Sequence, residues 1–483
     1  MGENKDNGRS RYLIKNTAIF ALGNVGTKMI AFFLLPLYTN ALTTAQYGVV
    51  DLITTISTAL APILILNISE SVMRFALDKG ADAKKIMSAA LLIFVAALVV
   101  GLSLIPIAGV VEILRGYGIY VYFYTVTMAG SQIFLCYLRG KEKLMAYSLG
   151  NILYALSVAV LNLLYLLVFD QGIQGYFKAY IFANVIVILY AAAAGRIWEV
   201  LRDFAIDFSL LKRMVTYSAV LIPNTFMWWI MNSSNRLMIT EMIGEEANGI
   251  YAIAFKIPTI ATTIANVFTQ AWVYSAIREH TRGDSEAYSN SVLQGLIAML
   301  LIMVSGVLMV IQDFMKYYVD SAFYTAWRYV PGLMVGVLFS CLGTFVATSY
   351  TVSKDSKGFL FSATCGAAVH LVLSWWLIPQ WGCMGAAFAT AVSYFCVFLY
   401  RVFDTRKYLK LNYLSWRNGL GMALVLLGVA VLALEIPNGR LLLLGLFAIQ
   451  MILFSNAWLG ILKGLFQKRI HSNRGEGKRG TKT

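Results

Sequence analysis

Fourteen apolar stretches, separated by short polar connections, make up most of the chain. A bilayer core about 30 Å thick is crossed by about 20 helical residues, so each stretch is long enough to span a membrane. The pattern predicts an all-α polytopic integral membrane protein with about fourteen transmembrane helices. The predicted spans cover residues 13–38, 48–73, 86–111, 117–138, 146–169, 175–195, 215–240, 248–275, 290–312, 329–350, 358–379, 384–402, 418–434 and 441–462.

Positive charge is distributed unevenly between the two sides of these spans. If the connections are assigned alternately to the two sides, with the N-terminus inside, the outside connections hold only four of the 39 Lys and Arg residues. These four are Arg115, Lys316, Arg328 and Arg440. Cytoplasmic loops retain positive charge, so the pattern predicts that both termini are cytoplasmic.

The bulk composition agrees with a membrane protein and excludes a soluble one. Of the 483 residues, 59% are hydrophobic and 13% are charged, and the mean hydropathy is +0.70. The formal net charge is +15, spread over the inner connections and a basic C-terminal tail. Topology and anionic headgroups explain this charge, so no nucleic-acid partner is expected.

Cysteine and histidine residues do not form a catalytic or metal-binding pattern. The five cysteines show no metal-ligand spacing, and the three histidines lie far apart in the sequence. We therefore expect no metal site, no bound cofactor and no enzymatic reaction.

Two pairs of turns repeat at nearly the same offset. The turn LTTAQYG at 42–48 resembles IGEEANG at 243–249. The turn GIQG at 172–175 resembles GCMG at 382–385. A duplicated six-span unit would produce this repetition, together with two pseudo-symmetric six-helix lobes and two extra C-terminal helices. The predicted domains are an N-terminal lobe at 1–195, a linker at 196–214, a C-terminal lobe at 215–402, extra spans at 403–462 and a basic cytoplasmic tail at 463–483.

The linker at 196–214 has apolar residues at a helical period, with Arg and Asp between them. This pattern predicts an amphipathic helix on the cytoplasmic leaflet. A plain surface connector is the alternative.

Seven short motifs occur in a characteristic order. They are LPLY at 35–38, QYG at 46–48, SESVMR at 69–74, LIP at 221–223, NR at 235–236, GIYA at 249–252 and GCMGAA at 382–387. In these motifs and in its fourteen spans, the chain resembles the Wzx-type flippases of O-antigen or capsule repeat units. These flippases belong to the multidrug/oligosaccharidyl-lipid/polysaccharide (MOP) exporter superfamily. Relatives often carry an acidic residue where this chain has Asn235, so a local Asp–Arg pair is not expected.

The resemblance implies a MATE-like fold and a transport function. Such flippases move undecaprenyl-pyrophosphate-linked oligosaccharides from the cytoplasmic to the outer leaflet of the bacterial inner membrane by alternating access. The resemblance also implies a polysaccharide polymerase and glycosyltransferases as partners, and a groove for the polyprenyl tail at spans 13 and 14. One chain holds a complete two-lobed pathway, so we expect a monomer surrounded by membrane lipids.

Four cations are candidate ligands of the pyrophosphate. Charges at membrane depth are costly, so they tend to line a cavity or find a partner. Lys28 and Lys256 lie deep in spans 1 and 8, and a structural ion pair or a hydrogen bond between helices is the alternative for each. Arg236 lies near the outer end of span 7, where it could instead reach the interface. Arg74 lies at the inner end of span 2, where a pair with Glu70 is a sufficient structural explanation.

Amides and one carboxylate complete the candidate site. Asn24 shares a helical face with Lys28, and Asn266 shares one with Gln270. We expect these amides to contact the substrate, with helix-to-helix hydrogen bonds as the alternative. Asp51 is the candidate for binding a coupling proton or sodium ion, with a structural carboxylate as the alternative.

Three other functions are considered. A lipid II flippase differs only in the glycan that it carries. A multidrug or cation antiporter of the same superfamily normally has twelve spans, and the cationic residues within the spans argue against a cationic substrate. A membrane polymerase or ligase would need a large catalytic outer loop, and the longest outer connection here, around 313–328, holds neither His nor Glu.

Overall fold

The computed structural model of the chain describes residues 26, 28–78, 80–279, 285–353, 355–413 and 415–455. This part of the chain is built from helices and contains no β-strand. Ten of the described helical segments are long and apolar enough to cross a membrane. The prediction of an all-α multi-pass membrane protein is therefore confirmed.

Short connections join the α-helices of the described residues from Leu35 onwards. They are α1 (Leu35–Ala41), α2 (Thr44–Leu64), α3 (Ile68–Ala76), α4 (Ala83–Gly101), α5 (Leu104–Val110), α6 (Gly118–Gly140), α7 (Leu144–Asn162, continued by the π-helical Leu163–Val168), α8 (Gly172–Gly195), α9 (Ile197–Arg202), α10 (Phe208–Met242), α11 (Glu245–Glu279), α12 (Ser285–Tyr318), α13 (Val330–Ser353), α14 (Ser356–Asp404), α15 (Trp416–Ala433) and α16 (Gly439–Leu453). The 3-10 helices are Glu112–Leu114, Ser321–Arg328 and Thr405–Lys407.

Most helix bounds agree with the predicted spans to within a few residues. The seventh predicted span lies inside α10. The eleventh and twelfth both lie in α14, which is interrupted by non-helical backbone at Gly382. Most of the first predicted span, 13–38, falls outside the described residues; within the described part, residues 28–33 and α1 are helical.

The second predicted span, 48–73, is not one continuous helix. Leu66 and Asn67 separate α2 from α3 and adopt left-handed backbone conformations, with φ of 50° and 52°. The backbone N–H of Asn67 donates to the carbonyl of Pro62 at 2.6 Å, which closes the turn. The prediction of a single helix is wrong here because one Asn among Ile and Leu residues leaves the average hydropathy of the segment that of a span.

The linker also differs from its prediction. It begins with the short helix α9, but residues 203–207 are not helical. A new helix then starts because the Asp207 carboxylate accepts a hydrogen bond from the Leu210 N–H at 3.0 Å, as an N-cap does. This hydrogen bond lowers the pKa of Asp207 below its usual value. The predicted single helix over 196–214 is thus two helices.

The two glycine turns that suggested a duplication have matching geometry. Gly172 and Gly382 both have positive φ, at 51° and 58°, a conformation that glycine adopts readily. Gly175 and Gly385 follow three residues later. A Cβ atom at either would lie within 3.0 Å of a carbonyl oxygen preceding the turn. The two turns therefore match in backbone geometry as well as in sequence.

The contacts divide the chain into two compact units. Unit 1 consists of Met1–Ile264, Lys316–Ala326 and Ala363–Ala389. An apolar cluster in this unit lies where α3, α4 and α6 meet, around Val72, Met87 and Ile133. The domain boundaries predicted from the sequence stay a prediction.

Unit 2 consists of Ala265–Met315, Trp327–Ser362 and Thr390–Thr483. Inside it, the rings of Trp272 and Phe345 stack with their centroids 4.6 Å apart. The helices α15 and α16 pack against each other.

Candidate functional site

A buried ion pair joins α2 and α10 in unit 1. The Nη1 atom of Arg236 lies 3.2 Å from the Oδ1 atom of Asp51. The same nitrogen donates to the Thr55 hydroxyl at 3.3 Å, and the guanidinium lies 5.0 Å from the ring centroid of Phe255. Only 15% of the Arg236 side chain and 5% of the Asp51 side chain are exposed. Arg236 therefore has a carboxylate partner, although its neighbour in sequence is Asn235.

One polar atom on each side of the ion pair makes no hydrogen bond to the described residues. The Oδ2 atom of Asp51 and the Nε atom of Arg236 are buried, and neither has a hydrogen-bond partner in the described part of the chain. Buried polar atoms usually have partners, so unused ones at a pair of charges are candidates for ligand contact. A phosphate oxygen can accept from Nε, and a proton or cation can bind at Oδ2.

Two lysines share the electrostatic environment of this pair. Lys256 lies on α11, next to Phe255, and interacts electrostatically with Asp51, Arg236 and Lys28. Three predicted cations and the predicted carboxylate thus belong to one charge cluster, which has an excess of positive charge. We call Lys28, Asp51, Arg236 and Lys256 the central charge cluster.

Asn235 forms a neutral hydrogen-bonded centre beside the central charge cluster. Its Nδ2 atom donates to the Tyr251 hydroxyl at 3.2 Å and to the Ala386 carbonyl at 3.0 Å. Its Oδ1 atom accepts from the Ser374 hydroxyl at 2.6 Å. The amide therefore uses both its donor and its acceptor, and it connects α10, α11 and α14.

Arg74 lies apart from the contacts of the central charge cluster. Its Nη1 atom pairs with the Oδ1 atom of Asp78 at 2.5 Å, and both side chains are about half exposed. The predicted alternative for Arg74, an ion pair with Glu70, is wrong. The partner is Asp78, one helical turn after Arg74, whereas Glu70 lies one turn before it.

The structure describes the three predicted amide residues only in part. Asn24 lies outside the described residues. Asn266 is exposed on α11 and belongs to unit 2. Gln270 lies on the same helix, and its side chain is outside the described part of the structure. The roles of these three residues stay predictions.

Two buried ionisable residues were not identified as candidates from the sequence. Arg401 on α14 donates to the Ser362 hydroxyl and the Gly343 carbonyl, both at 3.0 Å. Its position inside the span predicted at 384–402 was the signal that could have identified it. His370 is 1% exposed, and neither ring nitrogen has a hydrogen-bond partner among the described residues.

Comparison with known proteins identifies the family. The sequence model of the family described as "Polysaccharide biosynthesis protein" matches residues 13–274, which is more than half of the chain. No curated protein matches the sequence at a significant level.

Solved structures share the fold at low sequence identity. One is an inward-facing multidrug resistance MATE family transporter of the MOP superfamily, at 14% identity and a TM-score of 0.61, covering 80% of this chain and 98% of that one. Another is the lipid II flippase MurJ, at 13% identity and a TM-score of 0.60, covering 93% and 99%. A third is the Vibrio cholerae MATE transporter VcmN, at 12% identity and a TM-score of 0.55, covering 83% and 98%.

The family match and the shared fold agree with the resemblance seen in the sequence motifs. The chain therefore belongs to the polysaccharide biosynthesis protein family and has the fold of the MOP superfamily of transporters and flippases.

Proposed function

We propose that this protein is a flippase that moves undecaprenyl-pyrophosphate-linked oligosaccharides from the cytoplasmic to the outer leaflet by alternating access. The observation that carries the proposal is the central charge cluster, which joins cations from several helices within a polysaccharide biosynthesis family. Transport of this kind requires no covalent chemistry and no cofactor.

The charge of the cluster suits a pyrophosphate group. Lys28, Arg236 and Lys256 outnumber Asp51, the single carboxylate, so the cluster keeps a positive excess. Hydrogen bonds between cations and phosphate oxygens are among the strongest in proteins, and an arginine can offer two in parallel. Unpaired cations at membrane depth are costly, which favours a role in binding an anion.

Asp51 would regulate the availability of Arg236. In the described structure Asp51 holds one guanidinium nitrogen, while Nε has no partner among the described residues. A pyrophosphate could first contact Nε and then displace the carboxylate from Nη1. A proton or sodium ion bound at Asp51 would weaken the ion pair and favour this exchange, which makes Asp51 our candidate for ion coupling.

The remaining candidates extend this proposal. Arg74, Asn24, Asn266 and Gln270 would contact the pyrophosphate or the glycan. We propose a monomer in the bacterial inner membrane with both termini cytoplasmic, working with a polysaccharide polymerase and glycosyltransferases. Spans 13 and 14 would guide the polyprenyl tail.

The proposal is tested by lipid extraction from host cells with and without the protein. Mass spectrometry of undecaprenyl-linked glycans is combined with measurement of surface polysaccharide on the same cells. We expect depletion to cause accumulation of a completed lipid-linked repeat unit and loss of the surface polymer. Unchanged lipid-linked pools and an unchanged surface would contradict a flippase function.

A lipid II flippase is the second candidate, because the structural similarity to MurJ extends over 93% of the chain. The same extraction distinguishes the two, since this candidate predicts accumulation of lipid II rather than of a polysaccharide repeat unit. A multidrug antiporter predicts neither accumulation, but a higher drug sensitivity of the depleted cells.

A further inference from the structure

Unit 2 contains a cavity of about 470 Å³ with mostly apolar walls. It lies between α12, α13, α14 and α15, and the connection between α14 and α15 forms one of its edges. No described residue that lines it is acidic. Its volume lies in the range of about 300–1,000 Å³ that is usual for small-molecule sites. Prominent apolar lining residues are Leu300, Leu338, Phe395, Phe398, Leu399 and Met422.

Amide side chains hold the edge of this cavity in place. The Gln294 side chain donates to the Asn412 carbonyl at 2.8 Å, and the Asn412 N–H donates to the Asn290 side chain at 2.7 Å. The Asn418 side chain donates to the Tyr413 carbonyl at 3.1 Å and to the Gln294 side chain at 2.9 Å. The connection is therefore fixed to α12 and α15, and the cavity is preformed.

A cation without an acidic partner lies at the mouth of the cavity. Arg406 lines the cavity and is exposed, with its guanidinium 4.8 Å from the ring centroid of Phe403. It forms no ion pair with any described residue, and the same holds for the nearby Lys410 and Arg417. Trp416, which is 71% exposed, is of the type that occupies a membrane interface.

A lipid with an apolar chain and an anionic headgroup fits both the apolar walls of the cavity and the basic residues at its mouth. The basic residues lie at the membrane side predicted to be cytoplasmic, where basic residues attract anionic headgroups. A cavity of about 470 Å³ with apolar walls can hold one fatty acyl chain. A polyprenyl chain of many isoprene units is much longer.

We propose that this cavity binds one acyl chain of an anionic phospholipid, with Arg406 holding its phosphate. This site lies in unit 2, whereas the central charge cluster lies in unit 1. One of its walls is α15, which is also span 13 of the groove proposed for the polyprenyl tail, but the ligand proposed here is a resident lipid of the membrane and not the transported substrate. The proposal therefore goes beyond the flippase function and does not depend on it.

The test is native mass spectrometry of the full-length protein, purified in detergent and incubated with phosphatidylglycerol or phosphatidylethanolamine. Gly419→Leu is the variant that fills the cavity, because Gly419 lines it and a Cβ atom there meets nothing within 4 Å. Gly445→Leu is the matched control, since Gly445 on α16 is exposed and also has open space. Arg406→Gln tests the headgroup contact, with the exposed Arg115→Gln as its control.

We expect the wild type and both controls to retain one phosphatidylglycerol in preference to phosphatidylethanolamine. Gly419→Leu should weaken retention of phosphatidylglycerol about tenfold, and Arg406→Gln should remove the preference between the two lipids. Equal retention by Gly419→Leu and Gly445→Leu would overturn the proposal. So would displacement of phosphatidylglycerol by undecaprenyl phosphate at equal concentration, because the cavity would then be a site for the polyprenyl chain.

Thermal unfolding of each purified variant distinguishes lost binding from lost folding. A Gly419→Leu protein that unfolds like the wild type but no longer retains the lipid supports the site. If Gly419→Leu does not fold, Arg406→Gln decides by itself, and an unchanged lipid preference in that variant overturns the proposal. Neither measurement uses transport, so a failure of the flippase function would leave this result interpretable.

Discussion

Gly48 and Gly249 face each other where α2 packs against α11, and each lies against a backbone carbonyl of the other helix. A Cβ atom on Gly48 would lie 1.9 Å from the Glu245 oxygen, and one on Gly249 would lie 2.0 Å from the Thr44 oxygen. The Asn248 side chain also donates to the Gly48 carbonyl at 3.0 Å. The two glycines hold equivalent positions in the repeated turns, so the contact has a local two-fold symmetry.

Replacement of either glycine by alanine should force α2 and α11 apart. We expect Gly48→Ala and Gly249→Ala each to lower the stability of this conformation by about 1–3 kcal/mol, as overpacking does. The measurement is thermal unfolding in detergent, together with polysaccharide export in cells.

Gly109→Ala is the control for helix propensity, because Gly109 lies on α5 with nothing within 4 Å of the added Cβ atom. Alanine favours a helix over glycine, so the control should be neutral or slightly stabilising. If Gly48→Ala behaves like this control, the close contact between the helices does not contribute to stability.

The Asp51–Arg236 pair predicts a non-additive pair of substitutions. Removal of one partner of a buried ion pair leaves the other charge uncompensated, which costs about 3–5 kcal/mol. We expect Asp51→Asn to be the more damaging single change, because it leaves Arg236 near Lys256 and Lys28 without a carboxylate.

A double-mutant cycle measures this coupling. The double variant Asp51→Asn with Arg236→Gln should lose less stability than the sum of the single variants. Thermal unfolding of the four purified proteins provides the four values. Strict additivity would mean that the pair does not contribute to folding.

Lys256→Gln should abolish polysaccharide export while the amount of protein in the membrane stays unchanged. The substitution removes a positive charge that we assign to binding of the pyrophosphate. Lys178→Gln is the matched control, since Lys178 also lies in a predicted span, and it donates to the Gln171 side chain at 2.8 Å. Full export by Lys256→Gln would remove this lysine from the proposed site.

Asn235→Asp should destabilise the protein although it introduces an acidic residue that relatives often carry. The amide donates to Tyr251 and Ala386, and an ionised carboxylate would face the Ala386 carbonyl without a proton to donate. We expect a loss of about 1–3 kcal/mol in the free energy of unfolding, the cost of an unsatisfied buried group. A melting temperature equal to that of the wild type would show that the neighbouring groups rearrange.

The sequence predicted the positions of most helices because a membrane span is an apolar segment of about 20 residues, which is easily recognised. α6 and α8, for example, begin within three residues of their predicted spans. The break at Leu66 and Asn67 could not be predicted in this way, because one Asn among Leu and Ile residues leaves the segment apolar on average.

The sequence identified the residues of the candidate site but not which of them pair with each other. Lys28, Asp51, Arg236 and Lys256 were identified because charges are rare at membrane depth. The partner of Arg236 is 185 positions away in the sequence, and no local pattern connects the two. For Arg74 the predicted partner was Glu70, but the partner in the structure is Asp78. Both residues lie four positions from Arg74, so both have the spacing of a helical ion pair.

The ion pair between Asp51 and Arg236 is not repeated at the equivalent positions of the two copies. With the offset between the turns at 42–48 and 243–249, the position equivalent to Arg236 is Leu35, and the position equivalent to Asp51 is Ala252. Two identical subunits would carry this ion pair twice or not at all. A single chain can place the anion in one copy and the cation in the other, so a substitution at either position is compensated only by a change 185 residues away.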